Sequence, residues 1–367
     1  MLLSGFKNWF TYFTLIVVSL LGTYMCLSST NLFVVWLGFE LNMFAVVPLL
    51  IHDQSKIYLS NNIEIGVGFY YFIVQVIGSV LFAWGSILGN LGILSVLGLL
   101  IKFGFLPFFW WVPAVFSRLD WFWIFVLSTL QKIPSFFVLR FTFDINSSIL
   151  HFLCLVTLFL GVIGMYNNYF SLKNLVGWSS VTNGAIMLLL CTHSFFFSLV
   201  YFFFYILVLS FCCWCFSNIE NNNVSSFASL TNYEFSFFFN GVLGLFYFSG
   251  LPPFIIFWIK IYFFCVLNFN SVVYEFGGEN ISFFTYFFGN LLNLPFGGIE
   301  WISSLLIVLL MFVQVIVYLS VFFSFFMQLH SRLGLFIFSD LAPVILLPFL
   351  VNLIIIFIIP VFFWVFL

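Results

Sequence analysis

Apolar runs of bilayer-crossing length, separated by short polar clusters, repeat along this chain from one end to the other. A helix rises 1.5 Å per residue and needs about 20 apolar residues to cross a membrane. Cutting at the polar clusters predicts eleven spans, near 8–28, 31–51, 66–88, 91–112, 121–140, 147–166, 173–192, 195–216, 237–266, 302–327 and 341–363. Most connections are very short, as in a helical bundle. Two are longer, 217–234 and 267–301; the second, with "YEFGGEN" and "PFGGIE" amid aromatics, is expected at the membrane interface.

Composition sharpens the picture. Of 367 residues, 64% are hydrophobic and 5% charged, where a soluble domain carries about 25% charged residues. Such a chain cannot cover a water-facing surface of its own size. It is predicted to be an all-α, polytopic membrane helical bundle with small extramembrane parts. The 61 phenylalanines exceed what packing requires and point to T-rich codons, as in an AT-rich organellar genome. The opening "MLLSGFKNWFTYF" runs into a span without a small-residue cleavage site, so no cleaved signal is expected. The loop charges orient the bundle. With the N-terminus inside, Lys7, Lys56, Arg118, Lys173 and Arg332 fall on the inner side and only Arg140 outside, as the positive-inside rule requires.

Four charges have no loop to live in: Glu40, Lys102, Lys132 and Lys260. On insertion scales each costs about 2.5–3.5 kcal/mol at mid-membrane, roughly 10–14 together. A whole domain's net stability is about 5–15 kcal/mol. These residues must therefore be paired, hydrated or both.

Two spans also look interrupted. "LIKFGFLPFFWWVP" contains Gly104 and Pro107; "FSGLPPFIIFWIK" contains Gly250, Pro252 and Pro253. Proline removes a backbone donor and clashes with the preceding turn. In lipid the freed carbonyls need partners, so broken helices line polar cavities. The two segments share G-x-x-P-F followed by aromatics and lie five spans apart, so the second copy would be inverted relative to the first. Inverted repeats with interrupted helices are a transporter signature. The repeats are drawn at 8–140 and 147–327 within a single membrane domain, 1–367, followed by the C-terminal helix 341–363.

Each interruption has an intramembrane lysine near it, and Lys132 lies beside a kink expected at Pro134. Moving a carboxylate toward or away from a buried lysine switches that lysine between holding and releasing a proton. Buried lysines, a partner glutamate and hydrated helix breaks are the parts of a proton relay. The bland readings are a static Glu40–Lys102 ion pair, a Lys132 hydrogen-bonded at its kink, and a Lys260 snorkelling to the interface.

Other chemistry is not signalled. The sequence has no G-x-G-x-x-G, no P-loop and no His pair at haem or metal spacing. Cys212 and Cys215 form a C-x-x-C inside an apolar run with no nearby His and read as small helix residues. No cofactor and no metal site are expected, and the chain alone is not expected to be catalytic.

The segments "WLGFELNMFAVVPLL", "KFGFLPFFWWVP", "LQKIP", "LKNLVGWSSVTN" and "GLPPFIIFWIK" carry a resemblance. Over about residues 30–265 they follow the order and spacing of the subunit 2 family of NADH dehydrogenases. That family belongs to the antiporter-like subunits of respiratory complex I, related to Mrp-type cation/proton antiporters. The resemblance implies a short organellar form in the mitochondrial inner membrane, N-terminus to the matrix and C-terminus to the intermembrane space. Its implied partners are other membrane-arm subunits and lipids such as cardiolipin, with no nucleic acid. Its function would be proton translocation, driven by quinone reduction elsewhere in the complex. Glu40 matches the family's modulating glutamate, Lys102 the lysine on the first broken helix, Lys132 the central lysine and Lys260 the terminal one. The family pattern "PFHxWVPE" reads "PFFWWVPA" here, so Phe109 and Ala114 replace a His and a Glu. Asn174 and Asn183 likewise stand where Lys and His are usual. Two other functions fit the same features: a stand-alone Mrp-like antiporter, or a purely structural membrane subunit.

Overall fold

The computed structural model describes residues 2–57, 66–87, 92–142, 147–168, 171–193, 195–219 and 232–249, together with Ile256, Lys260, Leu306 and 309–321. Within them run α1 (Leu2–Ser28), α2 (Leu32–Ile57), α3 (Val67–Ile87), α4 (Gly92–Phe103), α5 (Trp111–Phe116), α6 (Trp121–Ser128), α7 (Lys132–Thr142), α8 (Ser147–Asn167), α9 (Leu172–His193), α10 (Phe195–Ser217) and α11 (Asn232–Ser249). A further helix, α12, covers Leu309–Val321. The second predicted interruption (Gly250, Pro252, Pro253), the stretch 267–301 and the helix 341–363 lie outside the described residues.

Six of the described segments are long and apolar enough to cross a membrane, α6 and α7 counting together as one from Trp121 to Arg140. The molecule is an all-α bundle, as its sequence predicts. The helix α9 is its axis. It packs against α5, α8 and α10, and 94% of its spanning stretch is buried, against 11% for α1. Small residues allow this: Gly177 of α9 abuts the backbone of Pro113, and Gly161 of α8 abuts Thr182.

Two predicted spans are built differently from their pattern. The span drawn at 91–112 stops at Phe103. Gly104 takes φ +85°, Gly104 N donates to Ile101 O at 3.1 Å, and Phe105 N donates to Leu100 O at 2.8 Å. This is a Schellman end, in which a left-handed residue turns two amides back onto the last carbonyls. Trp111 Nε1 adds a third donor, 3.1 Å from Ile101 O. The Leu100 and Ile101 carbonyls, at the end of a helix that stops inside the bundle, are thus satisfied without lipid-facing backbone. Gly104 and Phe105 are buried, whereas Pro107 and Phe108 reach the surface.

The span drawn at 121–140 was expected to kink at Pro134. Instead it breaks one turn earlier, between Ser128 and Lys132. Pro134 sits in the first turn of α7, where its missing N–H costs no bond; its ring excludes a helical carbonyl four residues back. The joint is closed by mixed bonds, Gln131 N to Val126 O at 3.3 Å and Lys132 N to Thr129 O at 3.1 Å.

Candidate functional site

Lys102, Lys132 and Lys260 are 7%, 4% and 3% exposed. Lys102 closes the last turn of α4. Its ammonium lies 4.5 Å from the ring centroid of Phe39 on α2. Glu40, the next residue and half-buried, acts on Lys102 electrostatically through space; among the described residues the two form no direct ion pair.

The backbones of α3 and α4 touch where Gly78 faces Gly98; a Cβ on Gly98 would lie 2.5 Å from Gly78 O. This contact lays the Lys102 stem against α3 one turn from Gln75. A cavity of about 10 Å³, room for one water, opens there, and Lys102, Asn42, Tyr71, Gln75, Gln131 and Ser135 supply its polar lining. One wall is a hydrogen-bonded bridge across three elements. Gln131 Nε2 donates to Asn42 Oδ1 at 2.8 Å, and the Tyr71 hydroxyl donates to Gln131 Oε1 at 3.3 Å. Gln131 immediately precedes Lys132, so the bridge ties α2 and α3 to the α6–α7 joint.

Lys132, the first residue of α7, points to the other side of that joint. Its ammonium donates to Ser180 O on α9 at 2.9 Å and lies 5.2 Å from the Phe103 ring centroid. Gly184, one turn further along α9, leaves the space: a Cβ there would be 3.7 Å from Lys132 Nζ and 3.0 Å from Phe103 Cε1.

Lys260 donates to Phe248 O on α11 at 2.9 Å, so it turns inward rather than snorkelling to the interface. Tyr205 of α10 stands between the two lysine regions. Its ring centroid is 5.5 Å from that of Phe248. Its hydroxyl faces Ser128 and Ser180 without a well-formed hydrogen bond to either.

The positions that depart from the resembled pattern fall into two groups. Phe109 is buried, stacked on Trp110 at 4.4 Å and 5.8 Å from Trp178. Aromatic surface fills the place of the usual imidazole. Asn183 is polar and bonded at both ends of its amide: it accepts from the Tyr201 hydroxyl at 2.7 Å and donates to Ser179 O at 2.8 Å. Ala114 is exposed and Asn174 half-buried.

Sequence reasoning picked out the charges and missed the neutral polar partners Asn42, Tyr71, Gln75 and Gln131. The signal was present. An amide in a lipid-spanning run is expensive for the same reason as a charge, and Gln75 is the single amide in "VGFYYFIVQVIGSVLF".

The profile of the transmembrane family described as NADH:quinone oxidoreductase/Mrp antiporter matches residues 84–276, a little over half of the chain. The chain belongs to this family. Its similarity to NADH-ubiquinone oxidoreductase chain 2 of Sylvisorex ollula is 27% identity over 203 residues, covering 51% of this chain and 56% of that one. To the protein of the same name from Aedes aegypti it is 27% over 250 residues, covering 64% and 70%. The chain spans about half the length of the first curated relatives it matches. Among solved structures, a chain of respiratory complex I from Thermus thermophilus superposes with TM-score 0.65 at 17% identity, covering 86% of this chain and 70% of that one. A chain of the Mrp complex from Dietzia superposes with TM-score 0.59 at 13% identity, covering 84% and 59%. These likenesses are to the fold; within it, this chain's Lys102 and Lys132 are buried at helix ends.

Proposed function

We propose that this chain is a proton-translocating membrane-arm subunit of an NADH:ubiquinone oxidoreductase. It carries no redox centre of its own and is driven by quinone reduction elsewhere in the complex. Protons pass along Glu40, Lys102, Lys132 and Lys260. The reading rests above all on one observation: two buried lysines sit at two helix interruptions, on either side of a joint lined by polar side chains. Membership of the antiporter family and likeness to chain 2 proteins supply the choice of ion and complex.

The same reading gives the surroundings. The subunit lies in the mitochondrial inner membrane, with its N-terminus in the matrix and its C-terminus in the intermembrane space. It is a single membrane domain with inverted repeats near 8–140 and 147–327, held by other membrane-arm subunits and by lipids such as cardiolipin. The exposed apolar faces of α1 and α3, with Leu20, Leu21, Tyr24, Ile73, Ile77 and Trp84, suit lipid or such neighbours.

The test is Lys132→Met, which keeps bulk and removes charge, measured in assembled complex as proton pumping against NADH:quinone turnover. Coupled loss of both with normal assembly is expected. Unchanged pumping would overturn the relay. Failure of assembly alone would favour the structural reading, in which the lysines only hold helices in register.

A further inference from the structure

Two polar side chains, those of Gln75 and Lys102, open onto the cavity with no hydrogen-bond partner among the described residues. Gln75 is 6% exposed and lines the cavity, and among the described residues its side-chain amide makes no hydrogen bond. The Lys102 ammonium, with three N–H donors, faces the same space, and its nearest aromatic neighbour, Phe39, takes none of them as a conventional acceptor. Buried polar groups in folded proteins are nearly always satisfied, by protein or by ordered water. The volume is about 10 Å³, the size that one water needs, and a water needs two to four polar partners.

We propose that Gln75 is a positioning residue of the proton path, fixing one ordered water against the ammonium of Lys102. The proposal rests on the relay reading above and adds to it a residue and a bound water. The water's oxygen accepts an N–H of Lys102, and one of its hydrogens goes to the Gln75 carbonyl oxygen. Asn42, Tyr71, Gln131 and Ser135 are the remaining polar groups of the cavity wall. The first three are bonded to one another and the Ser135 hydroxyl donates to Lys132 O, so they orient the water weakly and leave Gln75 as its anchor.

The chemistry is proton exchange alone. An Nζ–H bond of Lys102 breaks, leaving its electron pair on nitrogen, and an O–H bond forms on the water. The water then gives up a proton along the path toward a neutral Lys132. Overall, Lys102 ends neutral, Lys132 ends as the ammonium, and the water is unchanged. Nothing is oxidised or reduced. Gln75 stays neutral throughout and holds the water oxygen where the transfer can occur.

The Gln75 position separates this role from packing. Gln75→Leu keeps the volume and removes the polar atoms. Gln75→Ser removes volume, keeps a hydroxyl and leaves room for additional water. A path that needs water expects Leu to lose most of the pumping and Ser to retain it. A packing role expects the reverse, because Ser opens a hole and Leu fills it. Both variants are read in assembled complex, as protons pumped per NADH oxidised. A structure of the unmodified complex at a resolution that shows waters gives the second readout, with density expected within hydrogen-bond distance of both Lys102 Nζ and the Gln75 amide.

A dry cavity overturns the proposal, and so does normal pumping in Gln75→Leu. If Gln75→Leu does not assemble, the water density and the Gln75→Ser rate decide. Lys132→Met keeps the two levels apart: normal pumping there defeats the relay itself, whereas its loss beside a normally pumping Gln75→Leu defeats only the role of Gln75.

Discussion

Lys102 and Lys132 are both buried at helix interruptions, yet the interruptions are of different kinds. Lys102 lies in the last turn of α4, where the chain reverses through Gly104 and turns away. The carbonyl end of a helix carries a partial negative charge that attracts a cation. Lys132 lies where α6 ends and α7 begins within four residues. A carbonyl end and an amide end abut there, so their partial charges largely cancel. Around Lys102 the fold adds a cavity, the three amides of Asn42, Gln75 and Gln131, and the through-space field of Glu40. Around Lys132 it adds one carbonyl, that of Ser180, and an aromatic ring. One lysine is held by a field and a water-sized space, the other by a single short bond. A relay needs that asymmetry, because a proton moves between sites that respond differently to the same change.

The largest expected effect comes from removing the reversal that defines the Lys102 site. At φ +85° a side chain is strained, and a Cβ on Gly104 would lie 2.5 Å from Val112 Cγ2. Gly104→Ala should cost about 1–2 kcal/mol for the left-handed backbone and about 1–3 kcal/mol for overpacking. The amount of assembled complex on native gels should fall several-fold. Normal assembly would mean that the Schellman end is not needed to form the site.

Next comes the coupling of Glu40 to Lys102. Removing either alone leaves the other uncompensated in the membrane, at up to about 2.5–3.5 kcal/mol. Glu40→Gln and Lys102→Met should each lower the thermal stability of the complex more than half as much as the pair does together. A coupling of about 0.5–3 kcal/mol is expected from neighbouring groups. Strict additivity would show that the field between them is screened and that the contrast with Lys132 is overstated.

How far the contrast could be read in advance depends on what sets each feature. The apolar runs, the four charges set within them and the interruption at Gly104 follow from the cost of polar groups in lipid, which is local to the sequence. The end of α4 was legible too, since a glycine followed within three residues by proline is a common helix stop. The joint before Lys132 was misplaced because proline's effect falls on the carbonyl four residues back, Leu130, rather than on its own position. A static Glu40–Lys102 ion pair was one reading of the residue types, whereas their separation is set by how α2 and α4 are placed, which no local pattern encodes. The Asn42–Gln131–Tyr71 bridge was missed for the same reason: its members lie 60 and 89 positions apart along the chain.

A smaller effect tests the Lys132 side. Gly184→Ala would place a methyl 3.7 Å from Lys132 Nζ and 3.0 Å from Phe103 Cε1. The ring must give by a few tenths of an ångström, and the ammonium loses the room to leave Ser180 O. Pumping should slow by about 1 kcal/mol of barrier, roughly fivefold, with assembly unchanged. Full activity would mean that Lys132 moves away from α9 rather than along it.

The smallest expected effect is that of Tyr71→Phe. The Tyr71 hydroxyl donates to Gln131 Oε1 at 3.3 Å, a long bond, and the stronger half of the bridge, Gln131 to Asn42 at 2.8 Å, does not involve it. The ring keeps its edge contact with Trp111, 5.7 Å between centroids, so support for the indole that caps α4 is retained. The substitution therefore removes one weak bond, worth about 0.5–1.5 kcal/mol at most, and leaves the walls of the cavity in place. Pumping per NADH oxidised should fall less than in Gln75→Leu, and the melting temperature of the complex should shift only slightly. The comparison is informative because Tyr71 and Gln75 lie one turn apart on the same buried face of α3. If the two variants were equally impaired, the cavity would work as one undivided hydrogen-bonded unit. If Tyr71→Phe were the worse, the phenol itself would exchange protons, and the anchor of the water would have to be moved from Gln75 to Tyr71.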